Sequence, residues 1–211
     1  MIKLKTSSKL KLKESGTTTV GLICKDAVVL AAEKKSTLGY LVASKESEKI
    51  IQLDDRIAMT MAGLSADGQA LARYLKAEFK LYYIHHNRRI GLGAAAALLS
   101  NILQSSKYFP YYVQLIMAGY DDERGPSIFS FDAFGSYEEE KKYFSTGSGS
   151  PIALGVLEDS YKDGLSIDEG IDLAIRAIRA AIERDIASGG KAIDICVITK
   201  DGVKFSKYEL K

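Results

Sequence analysis

The chain has 211 residues, 46% hydrophobic and 27% charged, a make-up that fits one globular domain with a sizeable core. No stretch approaches the ~20 apolar residues a membrane span needs, and neither a linker-like run nor a repeat at solenoid or propeller spacing divides the chain. The charge is uneven: residues 1–16 hold five lysines and one glutamate, so the net +2 of the whole chain becomes 24 Lys and Arg against 26 Asp and Glu beyond residue 16.

That basic stretch lacks the apolar centre of a signal peptide and the arginines of a transit peptide. By itself it fits an arm for nucleic acid or membrane, or a soluble leader. From Thr17 to Glu33, two β-rich runs flank Lys25-Asp26, a hairpin-like turn. Residues 49–53 and 57–62 flank Asp54-Asp55 in the same way. Gly63 breaks the pattern, and residues 64–86 read as a helix with Leu71, Leu75, Phe79, Tyr82 and Tyr83 at helical spacing. A second helix is expected over 94–105. Strands are expected over 112–118 and 127–132, around a polar turn at 121–125, and over 143–148, which ends in Gly147-Ser148-Gly149.

Ser166 with Glu169 three residues on is a capping box. Ile167, Ile171, Ile175, Ile178, Ile182 and Ile186 then form an apolar stripe, and Gly189-Gly190 is expected to close that helix. Strands over 193–199 and 203–206 complete the chain. Paired strands, then helices, then strands imply an α+β arrangement in layers rather than a βαβ series, and there is no phosphate-binding glycine loop.

Cys24 and Cys196 sit among aliphatic neighbours and read as small buried residues, with no ligand spacing for zinc. Their use points to a reducing, cytoplasmic setting. His85-His86 and Arg88-Arg89 resemble a metal or nucleic-acid cluster, but at a helix end they read as a solvated terminus where cations sit well. No metal, cofactor, nucleic-acid or membrane partner is expected.

The run Gly16-Thr17-Thr18-Thr19-Val20-Gly21 is in isolation only a β-prone segment. It resembles, however, the processing site of proteasome β subunits, especially archaeal ones. So do Thr60-Met61-Ala62-Gly63, Lys107-Tyr108-Phe109-Pro110-Tyr111, the segment from Ser145 to Pro151, Gly155-Val156-Leu157-Glu158, and the segment from Arg184 to Gly190, all in family order over about residues 16–200. The resemblance implies a four-layer αββα sandwich of the N-terminal nucleophile hydrolase type. It also implies a propeptide, residues 1–16, cut autocatalytically at Gly16–Thr17 from a single catalytic domain, 17–211.

On that resemblance the mature chain is a threonine endopeptidase with Thr17 as nucleophile. A threonine hydroxyl needs a base to take its proton. The α-amine freed by the cut, with an unperturbed pKa of ~7.7–8.0, can serve, whereas the uncut amide cannot. Lys49 falls at the family's active-site lysine and would depress the amine's pKa and stabilise the alkoxide. Glu33, where the family more often has Asp, would hold that ammonium. Gly63 is the expected oxyanion-hole residue. Ser148, Asp185 and Ser188 match residues that orient the threonine, and Asp185 is expected in the last turn of the isoleucine-striped helix. Ser36, Thr37, Ser47, Ile51, Met61 and Ser65, with Gln69, are expected to line the pocket for the residue before the scissile bond, which favours large apolar side chains.

The resemblance further implies seven-membered β rings, α rings above them, an ATPase unfoldase that feeds the particle, and unfolded proteins as substrates. The alternatives are a silent structural β subunit of the same ring, or another N-terminal nucleophile amidohydrolase acting on small amides. The presence of Thr17, Lys49 and Gly63 argues against the first, and the KYFPY and GSGSP segments argue against the second.

Overall fold

The computed structural model describes residues 16–210, and the elements below are those of the described residues; all but the last residue of the expected propeptide lies outside them. Chain order is β1 (Thr19–Ile23), β2 (Val28–Glu33), β3 (Ser36–Leu38), β4 (Leu41–Ser44), β5 (Ile50–Asp54), β6 (Ile57–Gly63), α1 (Ser65–His86), α2 (Leu92–Ser105), β7 (Val113–Asp121), β8 (Gly125–Phe131), β9 (Tyr137–Glu140), β10 (Tyr143–Thr146), α3 (Ser150–Ser160), α4 (Ile167–Arg184), β11 (Ala192–Thr199) and β12 (Gly202–Glu209).

The strands make two five-stranded antiparallel sheets, ordered β10-β1-β2-β11-β12 and β5-β6-β7-β8-β9, with β3-β4 as a separate hairpin. Alternation along each strand sends one row of side chains outward under helices and the other inward against the facing sheet. Val20, Leu22, Val29 and Ala31 therefore pack with Ala153, Leu173, Ala174, Ala177 and Ile178 of α3 and α4. Met59, Met61, Leu115 and Met117 pack with Leu71, Leu75, Phe79, Leu99 and Leu103 of α1 and α2. Between the sheets, Leu30, Ile116, Ile128, Cys196 and Ile198 form the third core. Each fully buried aliphatic side chain contributes about 1.5–3 kcal/mol of transfer free energy. Helices, sheet, sheet and helices thus stack as the four-layer αββα sandwich.

The sequence pattern finds α1, α2, α4 and most strands to within a few residues. The capping box is present in full: Ser166 Oγ accepts from the Glu169 N–H, and the Glu169 carboxylate from the Ser166 N–H. Three expectations need correction. Helix α4 ends at Arg184, and Asp185 is its C-cap in extended conformation rather than a residue of the last turn. Ile186 consequently leaves the stripe and is 80% exposed. Gly189 and Gly190 lie beyond the helix and do not cap it; their φ of +149° and +112° fold the following loop against Lys34 and Lys35.

Among the described residues Cys24 and Cys196 are free and buried. His85 and His86 end α1 on the surface, and Asn87 caps it in the left-handed conformation. No described helix is long and apolar enough to cross a membrane. No group of three or more His, Cys, Asp or Glu that could hold a metal occurs among the described residues.

Candidate active site

Thr17 sits just before β1 and is 2% exposed. Its hydroxyl donates a 2.7 Å hydrogen bond to the carbonyl oxygen of Gly16. Its amide N–H donates to Ser148 Oγ at 3.1 Å, and Ser148 Oγ–H donates onward to Asp185 Oδ2 at 2.6 Å. The same carboxylate oxygen accepts from Ser188 Oγ at 2.7 Å, while Asp185 Oδ1 accepts from the Ala187 N–H at 3.1 Å. Because the Ser188 hydroxyl hydrogen goes to Asp185, the 2.7 Å contact between Thr18 Oγ1 and Ser188 Oγ has Thr18 donating. A continuous polar chain therefore runs from the Thr17 nitrogen through Ser148 and Asp185 to Ser188 and Thr18. This set of donors explains why Asp185 leaves the helix: its carboxylate is committed to the loop and to Ser148.

Glu33 ends β2 and is fully buried. Its Oε1 accepts from the Thr18 N–H at 3.2 Å and from the Lys49 ammonium; its Oε2 accepts from the N–H groups of Lys35 at 2.7 Å and Gly189 at 2.9 Å. Burial pushes the Glu33 carboxyl above its ordinary range, opposed by the charge of Lys49 and by these donors. Burial likewise pulls Lys49, 5% exposed, below the usual lysine range, opposed chiefly by Glu33. An ammonium and three N–H groups around one carboxylate are complementary to its anion, so the geometry is that of an ionised pair. Through Glu33 Oε1, Lys49 is linked to the N–H of Thr18, the residue after Thr17, and the Met61 N–H donating to its carbonyl at 2.9 Å ties it to β6.

Gly63 ends β6 with φ +106°, and a Cβ there would lie 2.3 Å from the Tyr112 carbonyl oxygen. Only a residue without a side chain fits. Gly63, Gly16 and Ser148 line one open cleft of about 470 Å³ together with Tyr112, Gln114 and Phe134.

None of the expected specificity residues lines this cleft. Ser36 and Thr37 lie on β3 and Ser65 opens α1. The Ser47 N–H donates to Lys34 O at 2.8 Å. Met61 points outward from β6 against Gly68 of α1, and Ile51 packs on the same cluster. Gln69 is exposed on α1.

Several contributors escaped the sequence reading. Gly147, φ +93°, lets the chain approach so closely that a Cβ would lie 2.1 Å from the Thr17 carbonyl oxygen, and the Gly149 N–H donates to that oxygen at 3.3 Å. Lys35 Nζ donates to the carbonyl of Ile186 at 2.5 Å and reaches that of Ser188 at 3.5 Å, fastening the Asp185–Gly190 loop to the link between β2 and β3. The Gly-Ser-Gly punctuation was the available signal for the first pair; a lysine among 29 Lys and Arg offers none for the last.

The fold is of the αββα class, with a threonine just before an interior strand and its hydroxyl on the preceding carbonyl. The profile of the family described as "Proteasome subunit" matches residues 13–198, and the chain belongs to that family. Among its relatives, "Proteasome subunit beta" of Methanocaldococcus jannaschii is 54% identical over 194 residues, 92% of this chain and 86% of that one. The proteins of the same name from Methanoregula boonei and Archaeoglobus profundus are each 52% identical, over 187 residues (89% and 87% of the two chains) and 196 residues (92% and 90%).

Proposed function

We propose that this chain is the catalytic β subunit of a 20S proteasome, a threonine endopeptidase in which Thr17 becomes the nucleophile once residues 1–16 are removed. The observation that carries the reading is the Thr17 hydroxyl at 2.7 Å from the Gly16 carbonyl oxygen while the Thr17 nitrogen rests on Ser148. In self-cleavage Thr17 Oγ attacks the Gly16 carbonyl carbon, the C–N bond breaks, and the nitrogen takes up a proton. The resulting ester is hydrolysed by water to a Gly16 carboxylate and a free Thr17.

In turnover the α-amine, held by Ser148, takes the Oγ proton as Oγ adds to a substrate carbonyl. Lys49 favours the alkoxide and Glu33 holds Lys49. The Gly63 N–H faces the oxyanion, and Asp185 with Ser188 keeps Ser148 oriented. The leaving amine receives the proton, and water hydrolyses the acyl ester. Ser36, Thr37, Ser47, Ile51, Met61 and Ser65 are proposed to form the pocket before the scissile bond. The subunit would work in the cytoplasm, in seven-membered β rings under α rings, on unfolded proteins delivered by an ATPase.

Thr17→Ala tests this. The variant should assemble with its leader attached, as read by intact mass, and should hydrolyse no peptide. Clean trimming to residue 17 in a purified system, or retained peptidase activity, would refute the nucleophile assignment.

A further inference from the structure

Thr19, two residues after Thr17, lies on the inward face of β1, so the inner sheet-to-sheet space, otherwise aliphatic, carries hydroxyls at its site end. Thr19 Oγ1 lies 2.9 Å from Thr60 Oγ1 on β6 and 2.7 Å from Thr146 Oγ1 on β10, with all three residues buried. Hydroxyls buried without partners are costly, and these three meet one another's need. The proposed chemistry uses none of them.

Each member stands next to a different part of the site. Thr19 is two residues from Thr17 on the same segment. Thr60 precedes Met61, whose N–H holds the Lys49 carbonyl at 2.9 Å, and β6 ends three residues later at Gly63. Thr146 pairs in register with Thr19 and precedes Gly147 and Ser148, which press on the Thr17 carbonyl and take the Thr17 N–H. The contact to Thr60 crosses from one sheet to the other, so it ties the strand that follows Thr17 to the strand whose next residue, Met61, holds the Lys49 carbonyl.

We infer that the Thr19–Thr60–Thr146 hydroxyl node is a positioning device that sets Thr17 relative to Lys49, Gly63 and Ser148. This rests on Thr17 being the nucleophile. Methyl-for-hydroxyl replacement keeps the shape of threonine; at Thr19 it removes both bonds, at Thr60 the one that crosses between the sheets. A misplacement of about 1 Å costs on the order of 10²-fold in rate.

The test uses assembled particles expressed with Thr17 as first residue, with kcat and KM measured on a fluorogenic peptide. Thr19→Val and Thr60→Val should lower kcat about tenfold to a hundredfold with KM within about threefold. Thr19→Ser, which keeps the hydroxyl, should recover most of that loss. A Thr19→Val particle with kcat within about threefold of wild type overturns the inference, and Thr60→Val serves the same purpose if Thr19→Val does not assemble. Failure of both to assemble, or no recovery in Thr19→Ser, makes the node a folding element and equally overturns it. Thr17→Ala is measured alongside. An inactive Thr17→Ala with a fully active Thr19→Val removes the node alone, whereas an active Thr17→Ala removes the nucleophile reading beneath it.

Discussion

Lys49→Ala separates an electrostatic role from simple packing. It deletes the ammonium from Glu33, whose carboxylate is fully buried. Removing one partner of a buried pair costs about 3–5 kcal/mol. Here the carboxylate keeps the N–H groups of Thr18, Lys35 and Gly189 at 3.2, 2.7 and 2.9 Å. Hydrogen bonds to a charged group are the stronger kind, so the loss should fall at the low end, about 3 kcal/mol. For a chain of this size that lowers Tm by roughly 6–12 °C, leaving the fold populated at 25 °C.

Activity should fall much further, by about 10²–10⁴, the usual consequence of losing a positioned catalytic group. Lys49→Arg keeps a charge but not the compact ammonium, and should fail as well. The sign of the pH dependence follows from burial. The lysine is cationic below its pKa, and burial lowers that value. The wild-type rate should therefore be lost on the alkaline side at lower pH than an ordinary lysine would impose, and Lys49→Ala should lack that limb. The assay is peptide hydrolysis at 25 °C by assembled particles made with Thr17 first. Turnover within about twofold of wild type for Lys49→Ala, far short of that expected loss, would refute the reasoning.

Asp185→Asn should cut kcat about 10²-fold or more with little change in KM, since it disturbs Ser148 and Ser188 but no substrate contact; equal losses in kcat and binding would argue against it. Gly63→Ala forces a Cβ to 2.3 Å from the Tyr112 carbonyl oxygen at φ +106°, so it should lower Tm and abolish turnover through a strain of order 1–3 kcal/mol or more; a fully active, stable variant would contradict the geometry. Burial pushes the thiols of Cys24 and Cys196 up to about 11 and about 12. At pH 8 native particles should therefore resist iodoacetamide and label only on unfolding, because the thiolate is the nucleophile; rapid native labelling would contradict their burial.

The layers were legible because their signals are periodic. The capping box at Ser166, the apolar spacing of α1 and the two-residue polar turns each encode an element locally. Helix α3 was missed although Pro151 stands at its first turn; read as one motif, Ser150-Pro151 lost its value as a helix start. The β3–β4 hairpin was missed for a different reason. Leu38, Tyr40, Leu41 and Val42 are exposed on both strands and the turn, so no inside-outside alternation marks it. Glu33 and Lys49 could be singled out only through the family resemblance, because a buried ion pair leaves no local trace among 27 acidic and 29 basic residues. What no pattern conveys is tertiary: that Asp185 abandons its helix for Ser148, or that Lys35 straps the loop above Glu33.

On the proposed function, the arrangement around Thr17 lets the cutting of one bond suffice for activation. Before the cut, the Thr17 nitrogen is an amide, unable to accept a proton, yet it already rests on Ser148. On the far side of the residue, its carbonyl oxygen is held by the Gly149 N–H, with Gly147 packed tightly against it. Glu33 takes the next N–H, that of Thr18. The residue is thus anchored at both of its peptide groups by partners that belong to β2, β10 and the loops around them, none of which lies in the leader. Converting the amide to an amine changes the chemistry of one atom and leaves those anchors in place. On this reading the precursor is a preorganised site with its base masked by acylation, and the ordering cost is met during folding rather than at each turnover.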